Sequence, residues 1–217
     1  MLVLIGSITS FLLLTWSAGY IFEAALTAAE YANPDCVFVI KSTVPPGTCK
    51  KVKELLEQNG FNNPIVSNPE FLREGSAVHY FLYPDRIIIG YESGLALETL
   101  KQIYKPLRDR GIPILETDLI TSELIKYASN SFLTCKIAFI NEMADLCEII
   151  GANINQVSTG IGLDKRIGSD FLKAGGRFLI TMLASGLFKA WFRLKATLIF
   201  CPPMLTLSRL VSVICAS

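Results

Sequence analysis

From Thr117 to Ile150 the chain contains neither glycine nor proline, and this uninterrupted run constrains the fold more than any other stretch. Ile120, Leu124, Tyr127, Cys135, Phe139, Met143, Leu146 and Ile150 recur mostly at the three- and four-residue steps of a helix face, not at the alternation of a strand. Thr117 or Asp118 can cap the start, because a short side-chain oxygen there accepts an orphan backbone N–H. Gly151 suits the left-handed residue that commonly ends a helix. One helix is therefore predicted over Thr117–Gly151, about 50 Å long at the standard rise. Such a helix joins two domains or runs along a dimer interface. Lys126 and Asn130 lie one turn apart on one face near its start.

Upstream of this helix, strand-like and helix-like runs alternate. Glu23–Tyr31 is a strong helix former stopped at Asn33-Pro34. Cys36–Lys41, Pro64–Ser67, Asp85–Tyr91 and Ile112–Leu115 read as short strands. Thr48 is placed to cap a helix over Cys49–Gln58, and Asn68, with Pro69 at the first position, to open another. Ala96–Tyr104 is a further helix. This alternation predicts an α/β fold whose mostly parallel sheet is covered on both faces. Ligands of such sheets bind beyond the carboxyl ends of the strands, where Ser42-Thr43 and Asn68-Pro69-Glu70 fall. No G-x-G-x-x-G is present; Gly160-Ile161-Gly162 has no preceding strand and reads as a helix-connecting turn after a short helix at Asn155–Thr159.

Composition excludes several function classes. A formal net charge of +1 gives no electrostatic case for nucleic acid. His79 is the only histidine, which excludes a His-rich metal site and argues against a Ser-His-Asp triad; no metal is expected. Six cysteines without a CxxC pair read as mostly buried thiols of a reducing compartment. The ends differ from the middle. Met1–Phe22 carries no charge, as a membrane span, a signal-peptide core, or a buried strand followed by a helix start would. Gly176–Ser217 holds Arg177, Lys189, Arg193, Lys195 and Arg209 but no acid. An evolved core of that size shows both charge signs, so a change of reading frame after about Gly175 is the expectation.

Several side chains are candidates for chemistry, each with a plainer alternative. Glu70 and Glu74, four apart on the predicted helix, can supply a general base or hold a water, or merely complement the helix dipole. Lys126 and Asn130 can stabilise a developing oxyanion, or form a solvated face. Arg166, in a glycine-flanked loop, can grip a phosphate or a sugar hydroxyl, or be a surface arginine. Thr43 can orient a water or approach a cofactor, or be structural.

Six stretches together resemble the UDP-glucose/GDP-mannose dehydrogenase family: STVPPGT (Ser42–Thr48), SNPEFLREGSA (Ser67–Ala77), PDRIIIG (Pro84–Gly90), ELIKYASNSFL (Glu123–Leu133), INEMADLCE (Ile140–Glu148) and GIGLDKRIGSDFLKAG (Gly160–Gly175). They stand in that family's order over about Gly19–Gly175. The resemblance implies a partial Rossmann-like NAD-binding domain over residues 1–116, a central helical segment over 117–175 and an atypical tail over 176–217. It implies oxidation of the C6 alcohol of UDP-glucose or a related nucleotide sugar, through a cysteine thioester, with NAD as cofactor. Thr43 and Glu74 would hold a water beside the cofactor, Glu70 would be the base for thioester hydrolysis, and Lys126 and Asn130 the oxyanion donors. Ser42, Thr43, Val44 and Glu74 would border NAD. Glu70, Phe71, Leu72, Arg73, Glu74, Lys126, Asn130, Arg166, Phe171, Leu172 and Lys173 would line the substrate site. The long helix would carry a homodimer contact, and a cytoplasmic role in polysaccharide biosynthesis, without a membrane, follows. The chain departs from the family where a G-x-G-x-x-G and a GGSCFPKD-like nucleophile motif are expected. Cys201, followed by Pro202-Pro203, is in the wrong context for that nucleophile, so a fragment that dimerises at most is the competing expectation.

Overall fold

The computed structural model describes residues 2–5, 16–72 and 75–175. Arg73, Glu74 and the acid-free tail lie outside the described residues, as does most of the uncharged segment before Trp16. The element order is β1 (Leu2–Ile5), α1 (Trp16–Tyr31), β2 (Val37–Ile40), α2 (Thr48–Gln58), β3 (Ile65–Ser67) and α3 (Ala77–Leu82). There follow β4 (Ile87–Tyr91), α4 (Gly94–Ile103), α5 (Lys105–Arg108), β5 (Ile114–Thr117), α6 (Leu119–Ile150) and α7 (Ile154–Gly162). The uncharged start thus contains a strand and the beginning of a helix. No helix among the described residues is long and apolar enough to cross a membrane.

The strands form one sheet in the order β1-β2-β3-β4-β5. All neighbours are parallel except β3 and β4, which meet antiparallel with Ser67 opposite Gly90. The loops after β2 and β3 therefore leave the same edge of the sheet, while β4 and β5 run the opposite way. Side-chain alternation along β2 splits the core. Phe38 and Ile40 pack with α1, α2 and Leu119 on one face; Val37 and Val39 pack with Ile87, Ile89 and the apolar side of α4 on the other. Helices on both faces let the strands be apolar on both sides, which explains continuous runs such as VFVI and III rather than alternating ones.

The long helix forms as its spacing predicts, but Thr117 ends β5 and Asp118 is the cap. The Asp118 carboxylate accepts Thr121 N at 2.8 Å. Gly151 closes the helix with φ 74, a conformation a side chain would resist. Its buried face is not the predicted apolar stripe. Leu119, Ser122, Glu123, Lys126, Thr134, Ile137 and Ile140 face inward, whereas Ile120, Leu124, Phe139, Leu146 and Ile150 are exposed. Periodicity finds a helix; it does not say which face another element will cover.

Three further expectations are corrected. Residues 68–72 are not helical, and the next helix starts only at Ala77. Asn68 is unavailable as a cap because the sheet uses it: its N–H donates to Ile40 O at 2.9 Å and its Nδ2 to Ile88 O at 2.7 Å. Its Oδ1 accepts from Lys41 Nζ at 2.9 Å and Tyr104 OH at 2.5 Å. Glu70 is therefore not on a helix, and the expected pairing with Glu74 lies outside the described residues. Thr48 lies inside α2 instead of capping it, and its hydroxyl donates to Pro45 O at 2.6 Å. Gly160-Ile161-Gly162 is the last turn of α7, not a connecting turn.

Candidate functional site along the long helix

The inward face of α6 is polar at its start, which is costly unless each group finds a partner. Ser122 meets the end of β3: Ser67 Oγ donates to Ser122 Oγ at 2.9 Å, and Ser122 Oγ donates to Ser67 O at 3.2 Å. Gly90 of β4 leaves the space for this approach. Glu123 reaches the other strand-end loop, accepting Gly47 N at 2.5 Å and Cys49 N at 2.7 Å. The end of β3 and the loop after β2, which meet one sheet edge, are thereby fastened to adjacent residues of one helix.

Lys126 follows on the same face and is only 6% exposed. Its Nζ stands 5.0 Å from the Phe71 ring centroid, a cation–π distance, and Arg86 Cζ stands 4.1 Å from that ring. Arg86 also donates to Ser129 Oγ on α6 at 3.4 Å. Burial holds the Lys126 ammonium below its ordinary range; the Glu70 carboxylate works against that and Arg86 adds to it. Glu70, Phe71 and Lys126 therefore share one neighbourhood, with Asn130 one turn further along and half-buried. Val44 is buried, while Ser42 and Thr43 are half-buried in the loop that Glu123 fastens.

The segment after α7 returns to α6. Lys136 Nζ donates to Ile167 O at 3.0 Å, and Gly175 N donates to Asn141 Oδ1 at 2.9 Å. Leu172 is buried, and its carbonyl accepts from Ser158 Oγ at 2.5 Å. Phe171 holds φ 63, uncommon for a side chain of its size and a mark of a constrained segment. Arg166 is committed to Asp164 of its own loop, 2.6 Å away, with its side chain 88% exposed. Lys173 is exposed and Leu72 sits near the surface. Neither Arg166 nor Lys173 shares a described contact with Lys126.

Sequence reasoning passed over Arg86, Glu123, Lys136 and Asn141, and gave Asn68 a cap's role in place of its bonds to the sheet. Each lies in or beside one of the six matching stretches, but each works through tertiary contacts that spacing does not display. Cys49 is buried beside Glu123, and desolvation first, then the carboxylate's charge, push its thiol far up. It is thus no thiolate nucleophile. For a dinucleotide the described residues fit only in part. Loop 42–44 can border one, but the strands run in sequence order with no reversal, and a pyrophosphate cradle sits where strand order reverses.

Residues 16–108 match the UDP-glucose/GDP-mannose dehydrogenase family, NAD binding domain, and residues 120–178 match that family's central domain. The UDP-glucose 6-dehydrogenase of Rickettsia typhi is 57% identical over 159 residues, covering 73% of this chain and 37% of that protein. That of Rhizobium meliloti is 50% identical over 163 residues, covering 72% and 37%. A solved UDP-glucose dehydrogenase from Pyrobaculum islandicum superposes with a TM-score of 0.66 at 35% identity, over 84% of this chain and 41% of that one. The chain spans somewhat over a third of the length of these curated relatives.

Proposed function

The chain belongs to the UDP-glucose/GDP-mannose dehydrogenase family, with NAD as the cofactor of the domain matched by residues 16–108, and from this premise we propose that its site serves the oxidation of UDP-glucose to UDP-glucuronate. The observation that carries the reading is Lys126, a buried ammonium beside Phe71 and Glu70 and one turn before Asn130. A cation kept out of water acts more strongly on a developing oxyanion than one in solvent. Asn130 adds an amide donor to the same position. Glu70 takes the proton of the water that hydrolyses an acyl intermediate, and Thr43 with Glu74 holds that water. Ser42, Thr43 and Val44 border NAD, which accepts the hydride when bound. Arg166, Phe171, Leu172 and Lys173 contact the nucleotide sugar.

The sequence contains neither G-x-G-x-x-G nor a cysteine in a GGSCFPKD-like setting, so this chain by itself supplies neither a pyrophosphate cradle nor a nucleophile. The test is a graft. Residues 19–175 replace their counterpart in the Rickettsia typhi enzyme, and NADH formation from UDP-glucose and NAD⁺ is followed at 340 nm. The graft should turn over, and the 217-residue chain should not. A folded graft that leaves UDP-glucose untouched would remove the substrate assignment.

The exposed stripe of α6 supports a second part of the reading, a homodimer. Leu124, Phe132, Phe139 and Leu146 are between 43% and 67% exposed on the side away from the sheet. A contiguous apolar surface of this kind marks an interaction site. Sedimentation of the chain should give a dimer, and Leu124→Glu with Phe139→Glu should give a monomer; a monomeric parent chain would refute it.

A further inference from the structure

Glu123 precedes Lys126 by one turn on the same inward face of α6. Its carboxylate is 2% exposed and serves the amino end of α2, with Oε2 on Gly47 N and Oε1 on Cys49 N. Helix α2 lacks a cap of its own. Gly47, at the cap position, has no side chain and a φ of 91, and the Thr48 hydroxyl is turned to Pro45 O. The first N–H groups of a helix need an acceptor, and a carboxylate there also meets the positive end of the helix dipole. Here the acceptor comes from the distant helix that carries Lys126 and Asn130.

Pro45 and Pro46 separate Gly47 from Val44. Their rings fix φ, and Pro45 O accepts from Thr48 N at 3.1 Å and from the Thr48 hydroxyl at 2.6 Å, so the turn between Val44 and Thr48 is restrained at both ends and Gly47 is coupled to Thr43. We propose that Glu123 is a positioning residue: a strut of fixed length that sets Ser42-Thr43-Val44 relative to Lys126 and Asn130. It touches neither ligand and acts through the loop. The inference rests on the roles proposed above for those residues, but its test reads geometry, so its failure leaves the graft experiment standing.

The full chain is compared with Glu123→Gln, which keeps the shape but one acceptor oxygen only, and Glu123→Asp, which keeps the charge but is one methylene shorter. Amide exchange and amide NMR shifts are measured at Gly47 and Cys49, at Ser42, Thr43 and Val44, and at Leu97 and Leu100 of α4 as controls on the opposite face of the sheet. Both variants should speed exchange at Gly47 or Cys49 at least tenfold. Shifts should reach Thr43 while the α4 amides hold still. The Asp variant should not restore the parent spectrum, because length and not charge is what it lacks. Three outcomes would overturn the proposal: unchanged exchange at both amides, shifts that stop at Gly47, or changes that spread equally to Leu97 and Leu100. If the Gln variant does not fold, the Asp variant decides on the same readings.

Discussion

Lys126→Met in the grafted enzyme will cut UDP-glucose oxidation by about a hundred- to a thousandfold, the usual cost of removing one oxyanion donor. The same change will not lower the thermal midpoint. Lys126 is buried, and folding depresses its pKa below the ordinary 10.5, burial being the main cause. A lysine with a depressed folded pKa binds fewer protons folded than unfolded in the interval between its two pKa values. Its ammonium therefore costs stability below the folded pKa, and the cost is relieved as pH rises towards 10.5. Methionine keeps most of the volume and sheds that cost. Replacing a buried charge by an apolar side chain of similar size is often neutral or stabilising. The midpoint gain over the parent should be largest near neutral pH and shrink as pH approaches the ordinary lysine value. A variant that keeps activity within threefold, or melts more than about 4 °C lower at pH 7, would mean that the cation is structural.

The expected outcome for Lys126→Met would set stability against chemistry, as the role proposed for Lys126 requires. A helix selected only for packing would place its apolar residues inward. Helix α6 does the reverse near its start, with Ser122, Glu123 and Lys126 inward and Ile120 and Leu124 outward. The inward groups are each bound to a strand end or a neighbouring loop, so the helix acts as a spine. The loop after β2 attaches through Glu123, the end of β3 through Ser122, the loop after it through Lys126, and the segment after α7 through Lys136 and Asn141.

The sequence shows where such a spine lies better than what it holds. The long helix, its cap at Asp118 and its stop at Gly151 depend on neighbours in sequence, and the four predicted strands depend on local β-branched runs; these were legible. The antiparallel direction of β4 was not, because the link from Ser67 to Ile87 carries a helix, and a strand-helix-strand alternation reads the same whether the second strand returns parallel or antiparallel. Asn68-Pro69 has every local property of a helix start. The helix is absent because Asn68 is worth more bridging Ile88 O, Lys41 and Tyr104 than capping. The same reason hid Glu123: its partners lie 74 and 76 residues away. That Lys126 and Asn130 stand one turn apart on a helix was legible by spacing, whereas the pairing of Lys126 with Phe71 and of Arg86 with Phe71 needed the fold.

Gly90→Val should prevent α6 from docking on the sheet, and Gly90→Ala should weaken the docking measurably. The reason is space and not backbone freedom. A Cβ at this position would stand 2.5 Å from Ser122 Cβ, 2.7 Å from Asp118 O and 3.1 Å from Leu119 Cα. Asp118 O and Leu119 Cα are backbone at the first turn of a long helix, so neither can step aside alone. The Ser122 side chain is tied by hydrogen bonds to Ser67. Relief requires the whole start of α6 to lift from β4, which would pull Glu123 from Gly47 and Lys126 from Phe71. Overpacking of this kind costs about 1–3 kcal/mol for one added methyl and more for a branched side chain. In a chain of this size about 2–4 °C of thermal midpoint goes with each kcal/mol. Gly90→Ala should thus melt roughly 2–12 °C lower by circular dichroism, and Gly90→Val should show no cooperative transition. Adding Ser122→Gly to Gly90→Ala removes the shortest of the three contacts and should recover part of the loss. Should Gly90→Ala melt with the parent chain, the start of α6 is not seated on β4, and the loops it fastens have no common anchor.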